Sequence, residues 1–73
     1  MSQTAVIGES ARTAGFALAG ALVFPAENPD EARAAWSGLP ADVAVLVVTS
    51  RAAAWLGTAP RARPDVLLVV MPP

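Results

Sequence analysis

The stretch "DVAVLVVTSRAAAWLG", residues 42–57, contains the pattern that decides the fold of this 73-residue chain. Its first part is apolar at both alternating positions, which is typical of a parallel strand covered on both faces. We predict a strand over residues 42–50 and a short helix over residues 51–56. Ser50 is the expected N-cap of that helix, and Gly57 its expected end. A strand that passes directly into a helix is the repeating unit of α/β proteins.

Three more strands are predicted around this unit, over residues 4–8, 21–26 and 65–73. The last of them, "DVLLVVMPP", is again apolar at both alternating positions, so the same two-sided cover is expected for it. Each pair of successive strands is separated by a segment with helical character, which gives the order βαβαβαβ.

The helix signals differ in strength. A first helix is predicted over residues 11–19, capped by Ser10, with an apolar stripe that includes Leu18. The second helix has the clearest start in the chain, because Asn28 is a cap residue, Pro29 follows at the first helical position, and Glu31 lies three residues after the cap. Its end is expected at residues 38–40. Both tryptophans, at positions 36 and 55, are expected on helix faces that pack on the core.

This order predicts a single small flavodoxin-like, or Rossmann-like, three-layer domain over residues 1–73, with a four-stranded parallel sheet of order 2-1-3-4 and three helices. Right-handed crossovers place the first helix alone on one face and the other two on the opposite face. The first-helix side of strands three and four is then uncovered, and an exposed apolar area of a few hundred Å² marks an interaction surface. In a complete domain of this type a C-terminal helix would cover it, and we expect that helix to be absent.

Composition excludes several classes of function. All five basic residues are arginines without clustering and the net charge is −1, so we expect no nucleic-acid partner. Cysteine and histidine are both absent, which removes thiolate metal sites and the commonest general base. The longest apolar run, Val43–Val48, is far below the roughly 18 residues of a membrane span, and no signal peptide is evident. We therefore expect a cytoplasmic protein without direct membrane insertion.

A glycine at the end of the first strand raises the question of a phosphate-binding loop. From Gly8 the sequence reads "GESARTAG", without the second glycine and the lysine of a P-loop and without the glycine spacing of a dinucleotide fingerprint. Glu9 would also repel a phosphate there. Serine and threonine are available as nucleophiles, but no histidine can act as their base. We predict no cofactor, no metal and no catalytic residue.

The candidate site is instead a surface for a partner. Glu9 and the end of strand three can approach each other above the sheet, and Arg12 and Arg51 begin adjacent helices at the same edge. Residues of this kind are most often solvated surface charge. The predicted partner-binding residues are Glu9, Arg12, Phe16, Ser50 and Arg51.

The N-terminal part, "AVIGES..TAGFALAG", resembles the N-terminal domain of the F subunit of V-type and A-type rotary ATPases. The matching positions are Gly8, Glu9, Thr13, Gly15, Phe16, Leu18, Ala19 and Gly20. The resemblance continues through "ENPDEA" and "VLVVTSRAA" to "PDVLLVVMPP", so it covers essentially the whole chain. Two departures matter: Ser50 stands where the family commonly has an acid, and we expect the family's further C-terminal helix to be absent.

The resemblance implies a non-catalytic component of the central stalk of a proton- or sodium-translocating ATPase or ATP synthase, peripheral to the membrane. Such a subunit binds the coiled-coil stalk subunit and couples rotation to ATP turnover through protein contacts. A stand-alone flavodoxin-like regulatory or binding module that self-associates through the uncovered sheet face is the alternative. An enzyme or a nucleotide-binding protein fits the residues least well.

Overall fold

The computed structural model describes residues 2–72, and its elements alternate between strands and helices. The strands are β1 (Gln3–Gly8), β2 (Leu22–Pro25), β3 (Val43–Val48) and β4 (Leu67–Val70). The α-helices are α1 (Ser10–Thr13), α2 (Pro29–Ser37) and α3 (Ser50–Leu56). Two 3₁₀ helices lie at Ala14–Ala19 and Ala59–Ala62. Position 73 of the predicted last strand lies outside the described residues.

The strands form one sheet of order β2-β1-β3-β4, in which every pairing is parallel. This confirms the predicted flavodoxin-like architecture. At the centre of the sheet, Val6 of β1 is level with Val23 of β2 and Val47 of β3. The parallel arrangement brings the ends of β1 and β3 together at one edge of the sheet, and α1 and α3 both begin there.

The two faces of the sheet are covered unequally. Ala5 and Ile7 of β1 point into the main core, together with apolar residues from α2 and α3. Val6 lies between them in the strand and is equally buried, but on the other face, where α1 contacts β1 and β2. Both tryptophans are half-buried against the main core, as expected for helix residues that pack on a sheet. The short helix α1 and the 3₁₀ helix that follows it lie on the Val6 face and leave much of that face open.

The start of α2 follows the prediction closely. The Asn28 side chain accepts a hydrogen bond from the backbone N–H of Glu31 at 2.8 Å, and Pro29 occupies the first turn. The Glu31 carboxylate in turn accepts from the backbone N–H of Glu27 at 2.8 Å. The first bond satisfies a backbone donor that the helix leaves free, and the second fixes the residue that precedes the cap. The helix ends at Ser37, and Gly38 is its C-cap.

The first helix differs from its prediction. Only Ser10–Thr13 is α-helical, and the chain continues as a 3₁₀ helix over Ala14–Ala19. A 3₁₀ helix has three residues per turn, so the apolar spacing expected of an α-helix no longer forms one stripe. Leu18 is consequently 94% exposed and does not pack on the sheet. The predicted Ser10 cap is also wrong, because Glu9 holds the N-cap position and Ser10 is already helical.

Strand β4 is exposed on both faces, which corrects the expectation of two-sided cover. Leu67 and Val69 lie on the α1 side, where an uncovered surface was predicted, and they are 62% and 41% exposed. Leu68 and Val70 lie on the α3 side and are also exposed. The reason is that α3 packs on β1 and β3 and does not extend over β4.

Gly8 is the position where the sheet tolerates no side chain. A Cβ placed there would lie 2.3 Å from Cγ2 and 2.8 Å from Oγ1 of Thr49, which follows β3. Thr49 is itself 1% exposed and cannot move aside into solvent. The close approach of the two central strand ends therefore requires glycine at position 8.

We predict that Gly8→Ala lowers the free energy of unfolding by about 1–3 kcal/mol, because the added methyl overpacks a buried contact. Chemical denaturation monitored by tryptophan fluorescence measures this value. Gly15→Ala is the matched control, since a Cβ at Gly15 meets no atom within 4 Å. Equal stability of the two variants would contradict the close-packing explanation.

Candidate partner-binding site at the carboxyl end of the sheet

Two polar residues follow the central strands and meet above them. Glu9 comes directly after β1 and Thr49 directly after β3. The Thr49 hydroxyl donates a short hydrogen bond to the Glu9 carboxylate and accepts one from the backbone N–H of Ala52 at 3.2 Å. One buried hydroxyl thus joins the start of α1 to the start of α3. The predicted approach of Glu9 to the end of strand three is confirmed.

This contact favours the ionised form of Glu9. The Thr49 hydroxyl lowers the pKa of the Glu9 carboxyl, and a backbone hydrogen bond adds to the effect. Partial burial acts in the opposite direction, and the charges of Arg51 and Arg12 make smaller contributions that lower the pKa of Glu9 further. Both arginines are thus close enough to Glu9 to influence its ionisation, and they belong to helices that begin at the same edge of the sheet, as predicted.

Thr49, and not Ser50, caps α3. The Thr49 side chain accepts the hydrogen bond typical of an N-cap, and Ser50 is the first helical residue. The predicted role of Ser50 as the cap is therefore wrong. Both residues are common caps, and the choice follows from the contact of Thr49 with Gly8 and Glu9, which a local pattern does not encode. Ser50 and Arg51 are exposed at the outer side of the helix start.

Arg12 is held by the chain that follows β4. Its guanidinium donates a hydrogen bond to the backbone carbonyl of Pro72 at 2.9 Å. Arg12 is 60 positions away from Pro72 in sequence, so this bond ties the first helix to the last described segment. The arginine remains exposed at the edge of the site. Part of its hydrogen-bonding capacity is thus already used within the chain.

Glu27 is a residue of this edge that sequence reasoning missed. Its carboxylate accepts a hydrogen bond from the backbone N–H of Ser10 at 2.8 Å and so provides the cap that α1 lacks locally. A carboxylate at a helix start is also favourable for the helix dipole. The two residues lie 17 positions apart, and the only available signal was the parallel pairing of β1 with β2, which brings their following loops together.

Phe16 lies apart from the other four predicted residues. It belongs to the first 3₁₀ helix and lines a groove of about 380 Å³ on the α1 side of the sheet. The groove floor includes Val47 of β3, and its walls include Ala19, Gly20 and Ala21. The site therefore has two parts: a polar edge formed by Glu9, Arg12, Ser50 and Arg51, and a groove beside Phe16 whose lining is part polar and part apolar.

The polar edge offers charge and hydrogen bonds but little chemistry. The four residues that define it carry one carboxylate, two guanidiniums and one exposed hydroxyl group. Among residues 2–72, no group of three or more acidic residues could hold a metal ion. No helix in the same part of the chain is long and apolar enough to span a membrane.

Comparison with known families gives a match over residues 4–72 to the family described as "ATP synthase (F/14-kDa) subunit". The chain belongs to this family. The match spans nearly the whole sequence and agrees with the resemblance seen in the sequence. Membership implies that the partners of this F-family chain are other subunits of an ATP synthase. Comparison with curated proteins and with solved structures gave no match.

We predict that Thr49→Ala lowers the free energy of unfolding by about 1–2 kcal/mol, because it removes the cap of α3 and the bond to Glu9. Ser50→Ala is the control and should change stability by less than about 0.5 kcal/mol, since Ser50 is exposed. Urea denaturation of both variants measures the difference. A larger loss for Ser50→Ala would show that the cap is assigned to the wrong residue.

The lowered pKa of Glu9 makes this contact dependent on pH. Because the pKa is lower in the folded state than in the unfolded state, the contribution is present at neutral pH and is lost as pH falls through the folded-state pKa. The stability difference between the wild type and Glu9→Gln should therefore shrink on acidification from pH 7 towards about pH 3.

The Thr49→Val variant removes the hydroxyl group and serves as a second background in which the effect of Glu9→Gln is measured. In this background the effect of Glu9→Gln should vary much less with pH, because the largest cause of the lowered pKa is gone. Thermal unfolding across the same pH range measures both pairs. A pH dependence that is identical in the two backgrounds would assign it to the backbone hydrogen bond and the arginines instead.

Proposed function

We propose that this chain is a non-catalytic subunit of the central stalk in a V/A-type ATP synthase or ATPase, coupling rotation to ATP turnover through protein contacts. The observation that carries the proposal is the family match over residues 4–72. The amino-acid content supports the non-catalytic part, because the chain has no histidine, cysteine or lysine to supply a common base, nucleophile or phosphate ligand.

The partner that we propose is the long coiled-coil subunit of the stalk. A coiled coil presents charged side chains along the flanks of an apolar seam. The polar edge of this chain offers exposed Ser50 and Arg51 at the start of α3. The groove beside Phe16 offers a partly apolar surface, and its small residues Ala19 and Gly20 permit close approach of a helix.

The four residues of the polar edge have different expected roles in such a contact. Glu9 and Arg12 are engaged within the chain, through Thr49 and the carbonyl of Pro72 respectively. We therefore propose that they fix the shape of the edge. Arg51 lies near Glu9 but is exposed, so its guanidinium is the group best placed to form an ion pair with a partner.

We predict that Arg51→Glu weakens binding to the coiled-coil subunit about tenfold, because it replaces attraction by repulsion at the contact. The measurement is co-purification followed by titration calorimetry of the two subunits. Arg33→Glu is the matched control, since Arg33 is equally exposed but lies within α2, away from the polar edge. Raising the salt concentration should reduce the difference between the wild type and Arg51→Glu.

Two results would contradict the proposal, one for the position of the contact and one for the partner itself. Equal binding by both arginine variants would place the contact elsewhere on the chain. Failure of the wild type to bind the coiled-coil subunit at all would favour the alternative, a stand-alone regulatory module that acts through self-association.

A further inference from the structure

Strand β4 is a short edge strand without charged residues, proline or a bulge. No strand lies beyond it in the sheet formed by the described residues. All four side chains of Leu67–Val70 are apolar and exposed, on both faces. Natural edge strands are commonly guarded by charged residues, proline or a bulge, but this segment contains neither a charge nor a proline and pairs with β3 in unbroken register. The strand therefore has the properties of a pairing surface.

The backbone direction shows which groups are available for pairing. The N–H of Met71 donates to the carbonyl of Val48 in β3 at 2.8 Å. Because backbone groups of successive strand residues point to opposite sides, Leu67 and Val69 also direct theirs towards β3. Leu68 and Val70 consequently direct their N–H and C=O groups outwards, away from the sheet. Each strand thus offers two donors and two acceptors along its free edge.

We propose that β4 pairs in antiparallel fashion with β4 of a second copy of this chain, about a two-fold axis that passes beside Val69. In this register Leu68 lies opposite Val70 of the second copy, and Val70 lies opposite its Leu68. Each of these two pairs exchanges two hydrogen bonds, so all outward groups of both residues are satisfied. The two sheets then continue as one sheet of eight strands.

The side chains support a second copy as the occupant. Val69 meets Val69 of the other copy at the axis, and Leu67 meets its Met71. Every one of these pairs is apolar, so the surface is complementary to itself, as a two-fold interface requires. Apolar cross-strand pairs also stabilise a sheet directly. No charged residue lies within the segment from Val66 to Met71 that would be placed against the copy.

A symmetric register centred on Leu68 is less favourable. Centring the axis on Leu68 would require Val66 to donate its N–H to Val70 of the second copy. That N–H already donates to the carbonyl of Arg63 at 3.1 Å, in the turn that leads into β4. The Val69-centred register uses only groups that point outwards from the strand and are not part of that turn.

The expected association is weak. The four exposed side chains form a patch that is smaller than the roughly 800 Å² per partner of a standard interface. We therefore expect a dimer that forms reversibly at concentrations of about 0.1–1 mM. The pairing is in the plane of the sheet, so it leaves the groove beside Phe16 accessible and does not depend on the proposed stalk function.

Sedimentation velocity of the purified chain across this concentration range tests whether the dimer exists. Val69→Lys should abolish it, because two ammonium groups would be placed face to face at the axis. Leu18→Lys, at a 94% exposed position outside β4, should leave it unchanged. Circular dichroism checks that both variants are folded. A monomer at every concentration in the wild type, or a dimer that persists in folded Val69→Lys, would overturn the proposal.

Single cysteines test the register, since the natural chain contains none. Val69→Cys should form a disulfide-linked dimer at least about tenfold faster than Leu67→Cys, because only residue 69 faces its own copy at a distance a disulfide can span. Leu18→Cys measures the rate of random collision. Equal rates at positions 69 and 18 would overturn the pairing of β4 with a second copy. The free edge of β4 would then be available to a strand of another subunit. Equal rates at positions 69 and 67 would overturn the register.

Discussion

The contact between Gly8 and Thr49 is the constraint on which the carboxyl end of the sheet depends. It brings the ends of the two central strands so close that a methyl group at position 8 has no room. The same threonine hydroxyl then bridges the Glu9 carboxylate and the start of α3. Strand spacing, a helix cap and the ionisation of a surface carboxylate are therefore consequences of one buried side chain.

This arrangement separates the residues that build the edge from those that are free to face a partner. Glu9 and Arg12 hold neighbouring parts of the chain, and Glu27 completes the start of α1. Ser50 and Arg51 extend from the scaffold that these contacts create. A partner that binds here would meet a pre-arranged surface, and fewer side chains would have to be ordered on binding.

The sequence predicted the architecture, because strand and helix patterns alternate along the chain. It predicted the start of α2, because the complete cap is encoded within a few neighbouring residues. The sequence predicted the caps of α1 and α3 wrongly. Adjacent threonine and serine have similar capping tendencies, and only the approach of β1 selects Thr49. Glu27 was missed because its partner is distant in sequence. Leu18 was misplaced because a continuous apolar pattern does not distinguish an α-helix from a 3₁₀ helix when glycines are nearby.

The cap that Glu27 provides has a consequence for the order of folding. A helix of four residues is too short to persist alone, and α1 has no side-chain cap from its own neighbourhood. The bond to Ser10 can form only after β2 has paired with β1 and carried the following loop to the same edge. The N-terminal third of the chain is therefore expected to acquire its structure as one cooperative unit, in which the helix is the last part to become ordered.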